Sequence, residues 1–344
     1  MATYTGIQGY PVQTLASDPT PTQDNEGRLW YNTSSNTWKI ASASAGSWSS
    51  GGNIPTFNGN FGGCGTIDAT IIAGGYNGPV GKIIGSFLYD GTSWSAANDL
   101  PYMRNWNSAF GTQTAAVNTG GFATPPGVKQ ATVEEYDGTS WTQVTSMPTA
   151  MDGQGTAGSQ TAGLTMAGST PAAPAGSPAS FEYDGTNWTV GGTLQGGRYR
   201  INGQSVGTQT AALLLGGLEG PSPGTYVESY DGTSWSEITD MNTPREMGGG
   251  NGTQTSAIAV SGRNPPGSYA VTVNVEQWNG SAWTETSNVA TGRSYNSSTG
   301  SGAGTVGNGS SFFIGGATTS STPNTLATEE WSDPVYAVKT VTTS

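Results

Sequence analysis

Short apolar runs closed by small residues recur along this chain at regular distances. Ile71-Ile72-Ala73-Gly74-Gly75, Ala211-Ala212-Leu213-Leu214-Leu215-Gly216-Gly217 and Phe312-Phe313-Ile314-Gly315-Gly316 are the clearest. Runs this short, bounded by glycine, predict buried strands. Between 13 and 16 residues later comes an aromatic strand end: Tyr89, Tyr136, Tyr183, Tyr230, Trp278 or Trp331. At four of these the phrase continues as Asp-Gly-Thr and closes on Trp94, Trp141, Trp188 or Trp235, a step of 47 residues each time. Trp278-Asn279-Gly280-Ser281-Ala282-Trp283 is a worn fifth copy. Asp-Gly marks a tight hairpin, because glycine tolerates positive φ and aspartate bonds its own backbone.

Ten residues beyond four of the tryptophans stand Arg104, Arg198, Arg245 and Arg293, with Met151 in the remaining copy. A second phrase follows: Gly111-Thr112-Gln113-Thr114, Gly158-Ser159-Gln160-Thr161, Gly207-Thr208-Gln209-Thr210 and Gly252-Thr253-Gln254-Thr255. Each repeat thus holds four strand-sized pieces: after the arginine, before the glycines, ending at the aromatic, and starting at the tryptophan. Four antiparallel strands in about 47 residues match one propeller blade. Glycine ends at Gly75, Gly121, Gly168, Gly217, Gly262 and Gly316 count six units. The last lacks an outer tryptophan strand, and Gly46-Ser47-Trp48-Ser49-Ser50 near the N-terminus has no partner strand of its own. The expectation is an all-β, six-bladed propeller over residues 43–334, closed by pairing the Trp48 strand with the strand ending at Trp331. Such a ring leaves no terminal edge to aggregate.

Composition narrows the chemistry. Fifty-four glycines and 19 prolines would suit disorder, but 11 tryptophans and 14 tyrosines at fixed intervals belong to a packed β-core. A net charge of −12 disfavours nucleic acid and anionic membrane surfaces as partners, and no apolar run is long enough to span a bilayer. There is no histidine and one cysteine, Cys64. An intrachain disulfide is excluded, histidine-based catalysis is excluded, and zinc, copper and haem lose their commonest ligand. No metal, no cofactor and no enzymatic activity are expected.

The Gly-Gly after an apolar strand, the Tyr-Asp, the tryptophan about five residues on, and the Pro/Arg beyond resemble the kelch repeat over roughly residues 46 to 334. Ser169 and Arg263 follow single glycines, and Met151 departs from the arginine. Kelch enzymes of the galactose-oxidase type require histidine copper ligands, which are absent. Residues 1–42 form an N-terminal arm. Within it, Gly27 to Ile40 reads as a hairpin about an Asn/Ser turn, and it resembles hairpins common in bacteriophage tail-fibre and other virion proteins. That resemblance implies a virion structural protein that displays the propeller for host-surface recognition or particle stabilisation. The arm would dock on other virion proteins through Trp30, Tyr31 and Trp38 by strand addition. A free-standing carbohydrate-binding lectin or adhesin is the alternative. Residues 335–344 are expected as a C-terminal tail.

The repeated tyrosines and tryptophans are expected in the core, Asp137, Asp184 and Asp231 as turn caps, and Cys64 buried. The four arginines either bond within their own repeat or gather an anionic ligand. Less repetitive residues beside them make better ligand candidates: Tyr102, Asn105, Trp106, Tyr199, Arg200 and Tyr295. Aromatic faces stack on sugar rings, and amide or guanidinium groups bond hydroxyls and carboxylates.

Overall fold

The computed structural model describes residues 12–21, 25–44, 46–56, 59–77, 81–123, 127–201, 203–220, 222–264, 270–294, 297–298, 310–318, 325–333 and 336–342. Among these the architecture is all-β, with no α-helix and many small antiparallel sheets, consistent with a β-propeller-like fold. Two compact units divide it: residues 48–332, and residues 1–47 together with 333–344.

The larger unit holds six four-stranded sheets. The first runs, from inner to outer strand, Gly62–Thr66, Ala69–Ala73, Ser86–Tyr89, Trp94–Ala97. The second is Ser108–Thr112, Ala115–Thr119, Val133–Tyr136, Trp141–Val144, and the third Gly155–Ser159, Ala162–Met166, Ser180–Tyr183, Trp188–Val190. The fourth is Ser205–Thr208, Ala211–Leu215, Val227–Tyr230, Trp235–Glu237, and the fifth Gly249–Gly252, Ala257–Val260, Val275–Trp278, Trp283–Glu285. The sixth takes Ser297–Ser298, Ser310–Ile314 and Thr328–Ser332 from one end of the chain, and Ser47–Ser50 from the other as its outer strand. Each inner strand lies beside those of the next and preceding sheets, and Ser297–Ser298 neighbours both Gly249–Gly252 and Gly62–Thr66.

The apolar runs are continuous because both faces of each sheet are covered. In Ala211–Leu215, Ala212 and Leu214 pack with Ala157, Leu164 and Met166 of the third sheet. Leu213 and Leu215, pointing the other way, pack with Ala257 and Ala259 of the fifth. Burial of one such leucine is worth about 1.5–3 kcal/mol, so every sheet depends on its neighbours.

Hydrogen bonds from side chains repeat the same lesson. The glutamine of the second phrase donates across to the preceding sheet's aromatic carbonyl: Gln113 to Tyr89 at 2.7 Å, Gln209 to Tyr183 at 2.9 Å, Gln254 to Tyr230 at 2.6 Å. The indole of Trp188 donates to the carbonyl of Thr145, that of Trp283 to Thr239, that of Trp48 to Ser287 and that of Trp94 to Gly52. Every acceptor lies four residues past the previous tryptophan, so the series runs through the sixth sheet into the first. Trp48 sits 5.3 Å from Trp331, ring centre to ring centre.

In the hairpins, Asp137 Oδ1 accepts from the amides of Thr139 and Ser140 at 2.8 and 2.7 Å, and Asp90, Asp184, Asp231 and Asn279 do likewise. Gly138 adopts φ 91°, as the turn requires.

The smaller unit is one sheet in the order Gln13–Leu15, Leu29–Asn32, Thr37–Ala43, Tyr336–Thr340. Leu29–Asn32 and Thr37–Ala43 form the hairpin, with Trp30 opposite Lys39 and Tyr31 opposite Trp38. Residues 335–344 are not simply a tail: Tyr336–Thr340 pairs antiparallel with Thr37–Ala43, placing Ala41 opposite Val338. The unit boundary therefore falls at 47/48 and 332/333, not at 42/43 and 334/335. Pairing between segments almost 300 residues apart leaves no local signal, which is why the sequence reading placed it elsewhere.

Candidate functional site

Because neighbouring strands in the sheets of residues 48–332 run antiparallel, two kinds of connection emerge at one end: second strand to third, and one sheet's outer strand to the next sheet's inner strand. The tight turns emerge at the other end. All eight lysines and arginines of residues 48–332 lie in segments at the first end: Lys82, Arg104, Lys129, Arg198, Arg200, Arg245, Arg263 and Arg293. Exposed large apolar side chains gather there as well: Tyr76, Tyr102, Met103, Val128, Tyr226 and Val273. Val190, the last residue of its outer strand, leads into the same end. The turn end carries Asp68, Asp90, Asp137, Asp184 and Asp231 amid serine, threonine and glycine.

The four repeated arginines are buried and paired within their own repeat. Arg104 Nη2 meets Glu134 Oε1 at 2.5 Å, Arg198 meets Glu228 at 2.5 Å, Arg245 meets Glu276 at 2.6 Å and Arg293 meets Glu329 at 3.0 Å. Arg104 Nη1 also donates to the carbonyl of Gly120, and Arg198 Nη1 to that of Gly216. Burial pushes the Glu134 carboxyl above the usual glutamate range, while Arg104 pulls it back. In the third repeat both members change together. Met151 takes the arginine position and Phe181, two residues before Tyr183, takes the glutamate position; the two lie in one buried cluster. These glutamates escaped the sequence reading, although Glu134, Glu228, Glu276 and Glu329 all stand two residues before the aromatic strand end.

Two residues past the arginine position the backbone is left-handed in every described repeat: Asn60 at φ 55°, Trp106 at 59°, Gly153 at 62°, Arg200 at 60° and Met247 at 53°. Non-glycine residues there are held by their surroundings at a cost of order 1–3 kcal/mol. Backbone bonds between repeats supply the hold: Trp106 N–H to Asn60 O at 2.8 Å, Gly153 N–H to Trp106 O at 2.9 Å, Met247 N–H to Arg200 O at 3.0 Å. The bend is thus common to the repeats, but the side chain on it is not.

Of the candidate ligand residues, Tyr102 is exposed, and Trp106, Tyr199 and Arg200 are half-buried. Asn105 is buried within the short strand Arg104–Asn105, paired with Phe122–Ala123, so its side chain is not presented to a ligand. Tyr295 lies outside the described residues. Arg200 stacks on Tyr199 at 5.2 Å and reaches the buried Glu246 at 3.3 Å, which Arg263 also contacts at 3.2 Å. Tyr102 lies instead beside a cleft of about 850 Å³ between the first and second sheets. Nearby, Lys129 Nζ donates to Asp152 at 2.8 Å and to Ser169 Oγ at 2.5 Å, while Ser169 Oγ itself donates to the carbonyl of Pro174. A lysine paired with a carboxylate is no base for a serine hydroxyl that already faces a carbonyl.

In the smaller unit, Trp30 is buried and its indole donates to Asp18 at 3.0 Å. Tyr31 packs edge-on against Trp38 at 5.3 Å, and Trp38 is the exposed one of the three.

Among solved structures, 211 chains match this one. One of them, described as the structure of YjhT, superposes with a TM-score of 0.65 at 16% identity, covering 84% of this chain and 99% of that one. At this identity the likeness speaks to the fold alone. No family model and no curated protein sequence matches.

Proposed function

We propose that residues 48–332 form a six-bladed, kelch-like propeller closed by the Ser47–Ser50 strand, and that it is a binding module, not an enzyme. Closure is supported by one contact repeated across the join. Tyr183 Oη donates to Glu135 at 2.9 Å and Tyr230 Oη to Glu182 at 2.5 Å, each reaching one sheet back; Tyr89 Oη reaches Glu330 of the sixth sheet at 2.5 Å in the same way. Averaged electron micrographs of the purified chain should display sixfold pseudo-symmetry; any other multiplicity rejects the count.

The binding reading is carried by the division of side chains between the two ends of the sheets. Cations and exposed apolar groups occupy one end, and capped turns occupy the other. The ligand residues Tyr102, Trp106, Tyr199 and Arg200 belong to the former, with irregular side chains on regular backbone. On this reading the chain is a bacteriophage virion structural protein, tail-associated or capsid-decorating. It presents the loop end to a host-surface glycan or protein while the smaller unit attaches it to other virion proteins through Trp38. The virion assignment follows from the resemblance of the N-terminal hairpin.

The experiment uses particles carrying the full chain. Trp38→Asp should abolish incorporation, whereas Tyr102→Ala with Trp106→Ala should leave incorporation intact and reduce host adsorption. A chain absent from purified particles that still binds cells or a glycan array would favour the free-standing lectin.

A further inference from the structure

The cleft between the first two sheets has features that the equivalent groove between the third and fourth sheets does not reproduce. Its walls are Phe87 from the first sheet, Ile83 and Ile84 from the connection before that strand, and Pro101, Tyr102 and Met103 from the connection between sheets. Arg104 lines it too, with Gln143 from the second sheet and Gln130 and Thr132 from the connection before its third strand. Lys82 also lines it, its ammonium 4.0 Å from the centre of the Phe122 ring. A volume near 850 Å³ falls within the range of sites that enclose a drug-sized ligand, and a mainly apolar wall with a few polar groups is their usual makeup.

The corresponding groove between the third and fourth sheets is smaller, about 250 Å³, and differently lined. Arg198 stands where Arg104 does, Gln195 replaces Pro101, and Gly196 replaces Tyr102. Tyr226 replaces Thr132, and Glu237 replaces Gln143. There the guanidinium is shared with Glu228, and Glu219 and Glu237 add further carboxylates. The repeat architecture therefore makes a groove at this position, and the first-to-second junction has exchanged its acidic lining for apolar walls and a lysine.

We infer that this cleft binds an aromatic carboxylate. Its ring would lie among Phe87, Pro101, Tyr102 and Met103, and its anionic end would face Lys82. Aromatic and methionine side chains favour a flat π-system over a flexible chain. Charge settles the other end: in a protein of net charge −12, Glu134 already neutralises Arg104, while Lys82 brings to the wall a cation that burial disfavours more than the nearby charge of Asp152 supports it. Lys82 is a positioning group for the carboxylate; no bond is made or broken.

This inference rests on the loop end being the binding end, but its test needs no particle. The full chain is titrated with 3-phenylpropionate by calorimetry and ligand-observed NMR, alongside 3-phenylpropanamide, hexanoate and acetate. One-to-one binding of 3-phenylpropionate is expected. The amide should bind about fivefold more weakly, as one partly exposed ion pair is worth about 1 kcal/mol, and acetate should not saturate. Met103→Asp should remove binding, and Lys82→Gln should bring the carboxylate and amide to equal affinity, with melting temperatures unchanged. No saturable binding, equal affinity of acid and amide for the native chain, or affinity indifferent to Met103→Asp overturns the assignment. Hexanoate binding as tightly as 3-phenylpropionate overturns the aromatic part. A chain that never enters particles but binds 3-phenylpropionate refutes only the virion role.

Discussion

The third repeat shows what can replace a buried ion pair, and it predicts the outcome of moving that replacement into the second. Arg104 and Glu134 are both almost wholly buried, 2.5 Å apart. Removing either leaves a charge in the core with its partner gone, which costs about 3–5 kcal/mol. If the two losses added, Arg104→Met with Glu134→Phe would cost about 6–10 kcal/mol, most or all of a typical domain's stability. Met151 and Phe181 occupy the same two positions in the third repeat and are packed and buried. The double variant is therefore expected within about 2 kcal/mol of the native chain, since an apolar pair of similar volume substitutes for a buried ion pair at little cost. The residual loss comes from the Gly120 carbonyl, which receives Arg104 Nη1 at 3.0 Å, and from Asn118 Nδ2, which donates to Glu134.

Urea unfolding of the native chain, both single variants and the double, followed by tryptophan fluorescence, completes the cycle. A double variant as unstable as the sum of the singles would refute the equivalence of the two solutions. A pH series adds a second readout. Burial already raises the Glu134 carboxyl, and Arg104→Met removes the opposing pull, so the folded value rises further. A raised folded value means the native state holds the proton more tightly than the unfolded chain does. The Arg104→Met deficit should thus shrink as pH falls toward 4.5, and grow as pH rises through the folded value.

Other consequences follow from single sites. A Cβ on Gly163 would sit 2.1 Å from the Phe110 ring of the second sheet, so Gly163→Ala should lower stability by about 1–3 kcal/mol, and Phe110→Leu should recover part of it in denaturation assays. Backbone amides of Ser140 and Thr139 hold the Asp137 carboxyl below its ordinary value, and Asp90, Asp184 and Asp231 are held likewise. A depressed folded value gives stability that is present above 3.8 and lost as pH falls through the folded value. Replacing all four by asparagine should flatten the acid limb of the melting curve; an unaltered limb would contradict this. Cys64 is fully buried and desolvation raises its thiol strongly, so maleimide should label it only after denaturation.

The repeat itself determined much of this protein. A fixed interval forces equivalent environments, so the strand pieces, the capped Asp-Gly turns and the burial of Tyr89, Tyr136, Tyr183 and Tyr230 were readable from spacing. So was the pairing of the Trp48 strand with the sixth repeat, because a unit missing one strand and a strand missing its unit imply each other. Interactions without a local period were decided only in three dimensions. The glutamates that neutralise the arginines lie 30 to 36 residues away and become visible as partners only once sheets fold them together. The strand Tyr336–Thr340 finds Thr37–Ala43 from the far end of the chain. Asn105 and Trp30 look like exposed ligand and anchor residues in sequence, yet packing buries both. The cleft beside Tyr102 likewise depends on the side chains that fold together around a position the repeats share, and only the structure shows which of them line it.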